Sequence, residues 1–324
     1  MAYTAGDTIL DDEYNTFVNN SSSPFGYNHF AGTGSGVYGL GQTHIPTVSG
    51  GSTTITAANW NTLFTGMDNI GNHTNDSLTT RTAVSAGDTI AIKAAVEADL
   101  ATLAASVAGG STGATALTTS SAKQTSDSSS TWTGSHTVEH SFTFANADTM
   151  RHFFNAGGKI RIVRSRIGGG QAGGGANSKD SNWTNLYAAL GNFDINAQTS
   201  TRSGSGETLT TNGLANGFHD LGTGYTHLIR LTESTSPYTA NYIDVHAKLN
   251  AAVGSATVMT VKTTAVDGAA DNSYTSGNTS GVNQFPDRNG QHRHQSFVTS
   301  VTDAQGLQSA IAESSTAVVS NSTS

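Results

Sequence analysis

Cysteine is absent from the chain. That excludes thiol catalysis, disulfide staples and sulfur-rich zinc sites, so stability has to come from packing or assembly. Proline is nearly absent, with four residues against 37 glycines. Charge is scarce as well: 12% of residues carry it, against roughly 25% in ordinary soluble domains. Solubility therefore rests on Ser, Thr, Asn and Gly, a surface more at home on extracellular or particle-borne proteins. Positive charge is the scarcer sign, with 15 Lys and Arg against 23 Asp and Glu and a net charge of -8. No basic run is present that would neutralise several phosphates together, which disfavours sequence-independent nucleic-acid binding. The run of about 18 apolar residues needed to cross a membrane is missing too. Residues Met1 to Asp7 lack a basic stretch followed by an apolar one, so no secretory leader is expected.

Catalytic motifs are equally scarce. The chain has no Gly-x-Ser-x-Gly elbow, no phosphate-binding Gly-x-x-x-x-Gly-Lys-Ser/Thr and no His-Glu-x-x-His. The glycine-rich run from 168 to 175 lacks the lysine and the strand–loop–helix spacing that cradle phosphate. No enzymatic activity and no cofactor are expected.

What is present is repetition. Gly6-Asp7-Thr8-Ile9 is followed at a fixed offset by Tyr14-Asn15-Thr16-Phe17-Val18, and Gly51-Ser52-Thr53-Thr54-Ile55 by Trp60-Asn61-Thr62-Leu63-Phe64. Gly87-Asp88-Thr89-Ile90 opens a third copy with Ala95 and Val96 at the aromatic and asparagine positions. Each copy leads into an apolar helical face: Leu10, Tyr14, Phe17 and Val18; then Trp60, Leu63, Phe64 and Met67 behind a Thr56 N-cap; then Val96, Leu100, Leu103 and Val107. One-sided helices need a partner surface. Ile9, Tyr14, Asn15, Phe17, Ile55, Trp60, Asn61 and Phe64 are therefore expected to form a docking interface. The segment between the first two copies, bearing Phe25, Tyr27, Phe30 and Tyr38, reads as an extended arm, either open to a neighbour or tucked onto its own domain.

The organisation predicted is a repeat-containing docking region over 1–110, a Ser/Thr/Gly-rich linker over 111–131 and a β-rich domain over 132–324. In the last, strands are expected over 135–144, 159–167, 225–231, 242–249, 256–266 and 295–301, with the 242–249 and 256–266 strands paired antiparallel. A short helix carries Met150, Phe153 and Phe154, and Gly157-Gly158 end it. Phe153 and Phe154 should anchor that helix to the sheet, and the glycines should supply the positive φ of the reversal. The second-half helices are too few for βαβ units. The expected fold class is α+β: mainly β with short helices, an antiparallel β-sandwich or jelly-roll-like domain preceded by short helical repeats.

Without cysteine, histidine is the remaining metal ligand of choice. His136 and His140 share a strand face but stand about 13 Å apart by strand rise, too far to chelate together. His292 and His294 project the same way from an x-His-x-His strand, with Asp287 nearby, and form the candidate metal site beside the plainer reading of an exposed polar loop. His219 with Asp220, and Asp244 with His246, are candidate acid–base pairs that lack a nucleophile. Trp132, Trp183 and Tyr238 serve equally well as core residues or as a platform for a host surface glycan.

The stretch from Phe142 to Arg161, Phe-Thr-Phe-Ala-Asn-Ala-Asp-Thr-Met-Arg-His-Phe-Phe-Asn-Ala-Gly-Gly-Lys-Ile-Arg, resembles a motif in virion structural proteins of tailed phages, particularly those of marine bacteria and cyanobacteria. Such proteins often open with a Gly-x-x-Ile segment followed by an aromatic and an asparagine, as at Ile9, Tyr14, Asn15 and at Ile55, Trp60, Asn61. The resemblance implies a structural role in the tail, baseplate or neck of a virion assembled in the host cytoplasm. Contacts with other virion structural proteins and no catalytic residues go with it, and the one-sided helices, the aromatic arm and the lack of disulfides separately predict a homo-oligomer. A receptor- or carbohydrate-binding tail fibre is the alternative.

Overall fold

The computed structural model describes residues 11–22, 25–31, 44–49, 55–74, 76–86, 93–108, 117–128, 132–155, 157–170, 178–269, 274–275, 284–285, 289–301 and 313–324. The chain divides into two compact units. One comprises residues 1–118, 147–158 and 300–312; the other comprises 119–146, 159–299 and 313–324.

The first unit is helical, with α1 (Asp11–Asn19), α2 (Tyr27–Ala31), α3 (Ala57–Thr74), α4 (Lys93–Ala108) and α5 (Ala147–Asn155). The start of α3 shows how sequence sets a boundary. Asn59 N–H donates to Thr56 Oγ1 (3.3 Å) while Thr56 N–H donates to Asn59 Oδ1 (2.8 Å), a reciprocal cap that satisfies two otherwise orphaned donors. The apolar stripes then meet: Tyr14, Val18, Leu63, Met67, Ile70, Val96, Leu100 and Leu103 are all buried. An ion pair from Arg81 to Asp99 and a Thr79 N–H bond to the same carboxylate tie the segment after α3 to α4. The expected arm is partly helix, because α2 carries Tyr27 into the core at 2% exposure. Phe25 stacks on His29 at 3.9 Å. Tyr38 lies outside the described residues.

Helix α5 ends as its glycines predict. Gly157 sits at φ +92°, and a Cβ on Gly158 would lie 2.5 Å from the Phe153 carbonyl oxygen. Phe153 and Phe154 are buried, with rings edge to face at 5.0 Å. By division of the chain, α5 falls in the unit that also holds α1 to α4.

The second unit is built on two antiparallel sheets, with the outer ends of two strands, residues 117–118 and 300–301, falling in the first unit by the same division. Its elements are β1 (Leu117–Thr119), β2 (Gln124–Asp127), β3 (Ser135–Thr143), β4 (Lys159–Arg166), α6 (Ser178–Leu190), β5 (Phe193–Ile195), β6 (Ser200–Arg202), β7 (Thr208–Asn212), β8 (Thr226–Thr232), β9 (Tyr242–Leu249), β10 (Val258–Val266), β11 (Tyr274–Thr275), β12 (Gln284–Phe285), β13 (His292–Val301) and β14 (Ser315–Thr323). One sheet runs β1-β13-β4-β5-β6, with β2 also paired to β13, and the other runs β14-β3-β10-β9-β8-β7. A separate short ribbon joins β11 to β12. Period-two alternation aims His136, Val138, His140 and Phe142 of β3 inward, together with Ile160, Ile162 and Arg164 of β4. The two inner faces meet, because Arg164 of β4 bonds Thr263 of β10 and His136 of β3. The fold is thus α+β, with short N-terminal helices and a sandwich-like pair of antiparallel sheets.

Two expectations about boundaries change. Residues 117–119 and 124–127, read as linker, are strands paired to β13. The Ser-rich terminus forms β14 along β3. Ser/Thr-rich sequence reads as linker by composition, but threonine is β-branched and suits a half-exposed edge strand once a partner is available.

Candidate functional site

The asparagines of the repeats share one geometry. Asn15 Nδ2 donates to the Val48 carbonyl (2.8 Å), and Val48 N–H donates to Asn15 Oδ1 (2.8 Å). Asn61 grips Val84 in the same way, at 3.0 and 2.9 Å. A carboxamide presents a donor and an acceptor side by side as a neighbouring strand does, so each helix holds one residue of an extended segment. Asn28 of α2 makes the same pair with Ile45, at 2.8 and 2.9 Å. Sequence reading missed this third clamp because no Gly-x-x-Ile precedes it. The signal lay in the shorter phrase aromatic-Asn-x-apolar, common to Tyr14-Asn15-Thr16-Phe17, Tyr27-Asn28-His29-Phe30 and Trp60-Asn61-Thr62-Leu63.

The aromatic partners of these asparagines are not available for docking. Tyr14, Phe17, Trp60 and Phe64 are exposed by 5% or less. Trp60 takes Tyr14 edge-on at 5.4 Å and touches Phe17 and Phe64 at 5.9 and 5.7 Å. The expected interface at these rings is corrected to a core, because the stripes of α1 and α3 satisfy one another within the unit. Ile55 is half-buried. Ile9 lies outside the described residues.

The proposed metal pair is also relocated. His292 and His294 do project the same way, but into the sandwich, where they are fully buried opposite His136 and His140 of β3. Asp287 lies outside the described residues, and burial overturns the exposed-loop reading. The inward faces of β3 and β13 thus pair four imidazoles, His136 with His292 at 6.3 Å between ring centroids and His140 with His294 at 4.3 Å. Arg164 donates to His136 Nδ1 (2.7 Å), which makes that nitrogen the acceptor and leaves Nε2–H to donate to Asn321 Oδ1 (3.0 Å). His140 lies between Ser126 Oγ (2.9 Å) and Ser296 Oγ (3.0 Å). The Tyr187 hydroxyl bonds His292 Nδ1 (2.5 Å). Both ring nitrogens of His294 and Nε2 of His292 lack a hydrogen-bond partner among the described residues. Burial, reinforced by the Arg164 charge, pushes His136 down to about 3 and His140 down to about 4. Burial holds His292 and His294 well below the ordinary imidazole value, with Arg164 and neighbouring histidines adding to it. The cluster is a set of neutral, inward-facing bases around one buried guanidinium.

The outer face of the second sheet carries a different group. In register, Lys262 of β10 stands between Glu139 of β3 and His246 of β9, and His246 faces His227 of β8. Asp244 accepts from Arg230 at both oxygens (2.7 and 2.6 Å) and bonds His227 Nε2 at 2.9 Å. Asp244 therefore pairs with His227 and Arg230, two of whose residues the sequence did not single out. His227 and His246 lie on consecutive strands, and the β8–β9 register sets them opposite each other. Desolvation, with His227 next, brings His246 down to about 4.

The basic strand Lys159 to Arg166 is spent internally: Arg161 forms a two-bond pair with Asp194 (2.7 and 2.8 Å), and Arg164 is buried. Trp132, Trp183 and Tyr238, the candidate sugar platform, are exposed by 5% or less and belong to the core. His219 and Asp220 sit on one short 3-10 turn, where Asp220 accepts from Gly217 N–H (2.9 Å). No helix among the described residues is long and apolar enough to cross a membrane. Compared with protein-family models, with curated proteins and with solved structures, the chain matches none.

Proposed function

We propose that the protein is a non-enzymatic structural component of a tailed-phage particle, built in as a homo-oligomer beside other virion structural proteins. The 142–161 resemblance supports the particle. Strand β14 supports assembly, and it is the observation that carries the reading. It is the outermost strand of its sheet, nine residues long, with no charge and no proline. Val318 and Val319, 43% and 55% exposed, lie on it, and the register bulge beside them turns an apolar side chain outward. Proteins that stay monomeric blunt such edges with lysine, proline, a bulge or a cover; β14 has the bulge but neither lysine nor proline. An uncharged edge with two exposed valines suits a chain whose edge is covered by a second copy.

Light scattering on the full chain at micromolar concentration tests this. The wild-type chain is expected to be oligomeric, and lysines at Val318 and Val319 to shift it to monomer with unchanged circular dichroism. A monomeric wild-type chain, or an oligomer indifferent to both lysines, refutes edge-mediated assembly.

A further inference from the structure

The outer face of the second sheet holds a group that assembly leaves unused. Asp244 and His246 are two residues apart on β9, so both project from one face. The β8–β9 register places His227 opposite His246. One ligand atom from each of the three lies within 4.8 Å of the other two. The two imidazoles stack at 4.3 Å and 12°. Positions i and i+2 of one strand plus the cross-strand neighbour are fixed by paired backbone, so the backbone of the group is preformed and needs no loop to close over it. One of the two parallel rings has to turn about its side-chain torsions to bring its in-plane lone pair to a shared ion.

We propose that His227, His246 and Asp244 bind a divalent transition-metal ion of the zinc type. Two imidazole nitrogens and one carboxylate oxygen match zinc, whereas calcium and magnesium call for oxygen donors throughout. Three protein ligands leave a fourth position for water. In the metal-free chain a proton lies between His227 Nε2 and Asp244 Oδ1, 2.9 Å apart, and the ion would take its place. Arg230 grips Asp244 through two bonds, which fixes the carboxylate's orientation as outer partners of metal ligands do. His246 Nδ1 is buried and has no hydrogen-bond partner among the described residues, so the protein's own bonding leaves this ring with a nitrogen to spare. The neighbouring cations are already engaged: Arg230 lies over the Tyr242 ring at 3.9 Å, and the Lys248 and Lys262 ammoniums lie over Tyr225 at 4.4 and 4.0 Å. Their charge weakens the site without occupying it. A bound ion would cross-link β8 to β9 beside the irregularity between His227 and Ile229.

The test is calorimetric titration of zinc into the chelator-stripped full chain, repeated on variants whose melting temperatures are first shown to be unchanged. One equivalent of saturable uptake is expected, weakened at least tenfold by His227→Ala and by His246→Ala and unaffected by His44→Ala, a change at an exposed histidine of the helical unit. Zinc should raise the melting temperature of the wild-type chain and not of the two site variants. Cobalt should give visible absorption bands that the same two variants lose. No saturable uptake by the wild-type chain, or uptake that survives the double His227→Ala/His246→Ala change, overturns the proposal. Neither result bears on the light-scattering test of β14.

Discussion

Acid should unfold the sandwich well before its carboxylates are protonated. His136, His140, His292 and His294 are neutral and buried in the folded chain, with values pushed down to about 3 for His136 and about 4 for His140 and held well below normal for the other two. The groups facing them are Arg164 of β4, Tyr187 of α6, Asp127 and Ser126 of β2, Ser296 of β13 and Asn321 of β14. Only Asp127 is acidic, and Arg293 holds it. In the unfolded chain each imidazole titrates near 6.5. Between that value and the folded ones the unfolded state binds more protons, so stability present above pH 6.5 is lost as pH falls. Each histidine contributes about 1.4 kcal/mol per pH unit over that window, so His136 and His140 together give about 3 kcal/mol per unit, and His292 and His294 act in the same direction. At pH 5 those two alone, His136 and His140, cost about 4 kcal/mol, close to the lower end of a whole domain's stability of about 5–15 kcal/mol. Urea titrations at pH 7.5, 6 and 5 at constant ionic strength measure it, followed by tryptophan fluorescence, since Trp132 and Trp183 lie 4.9 and 5.2 Å from the His292 ring. His294→Leu should remove one proton's worth of slope, about 1.4 kcal/mol per unit. Stability that stays level from pH 7 to 5, or falls by no more than a single histidine's share, would refute the reasoning.

Two further outcomes follow from the helical unit. Asn61→Ala strips Val84 of both backbone partners and should cost about 1–3 kcal/mol. Hydrogen exchange should show the Val84 amide losing protection while the β3 and β10 amides keep theirs, and unchanged Val84 protection would dismiss the clamp. Trp60→Ala should cost about 3–5 kcal/mol, because it removes a core ring. Thermal melting of the helical unit should fall while assembly of the still-folded protein is unaltered; the reverse pattern would return Trp60 to a docking role.

What the sequence determined by itself was local. Helical spacing around Tyr14, Trp60 and Val96, the Thr56 cap, the glycine stop after Phe154 and the alternation of β3, β4, β9 and β10 depend on neighbours within a few residues, which composition and period report directly. The fold class followed from them. Tertiary structure decided everything that depends on a distant partner. Trp60 is core and not interface because α1 supplies Tyr14 and Phe17. His292 and His294 are inward because period two fixes that they share a face, while only the opposite sheet decides whether that face meets water. Asn15 and Asn61 were recognisable as repeated, but their Val48 and Val84 partners are reached through chain closure that no local pattern encodes. The same holds for His227 beside His246 and for β14 beside β3: register between strands is set by the packing of whole sheets, and a single strand's sequence carries only its own half of that pairing.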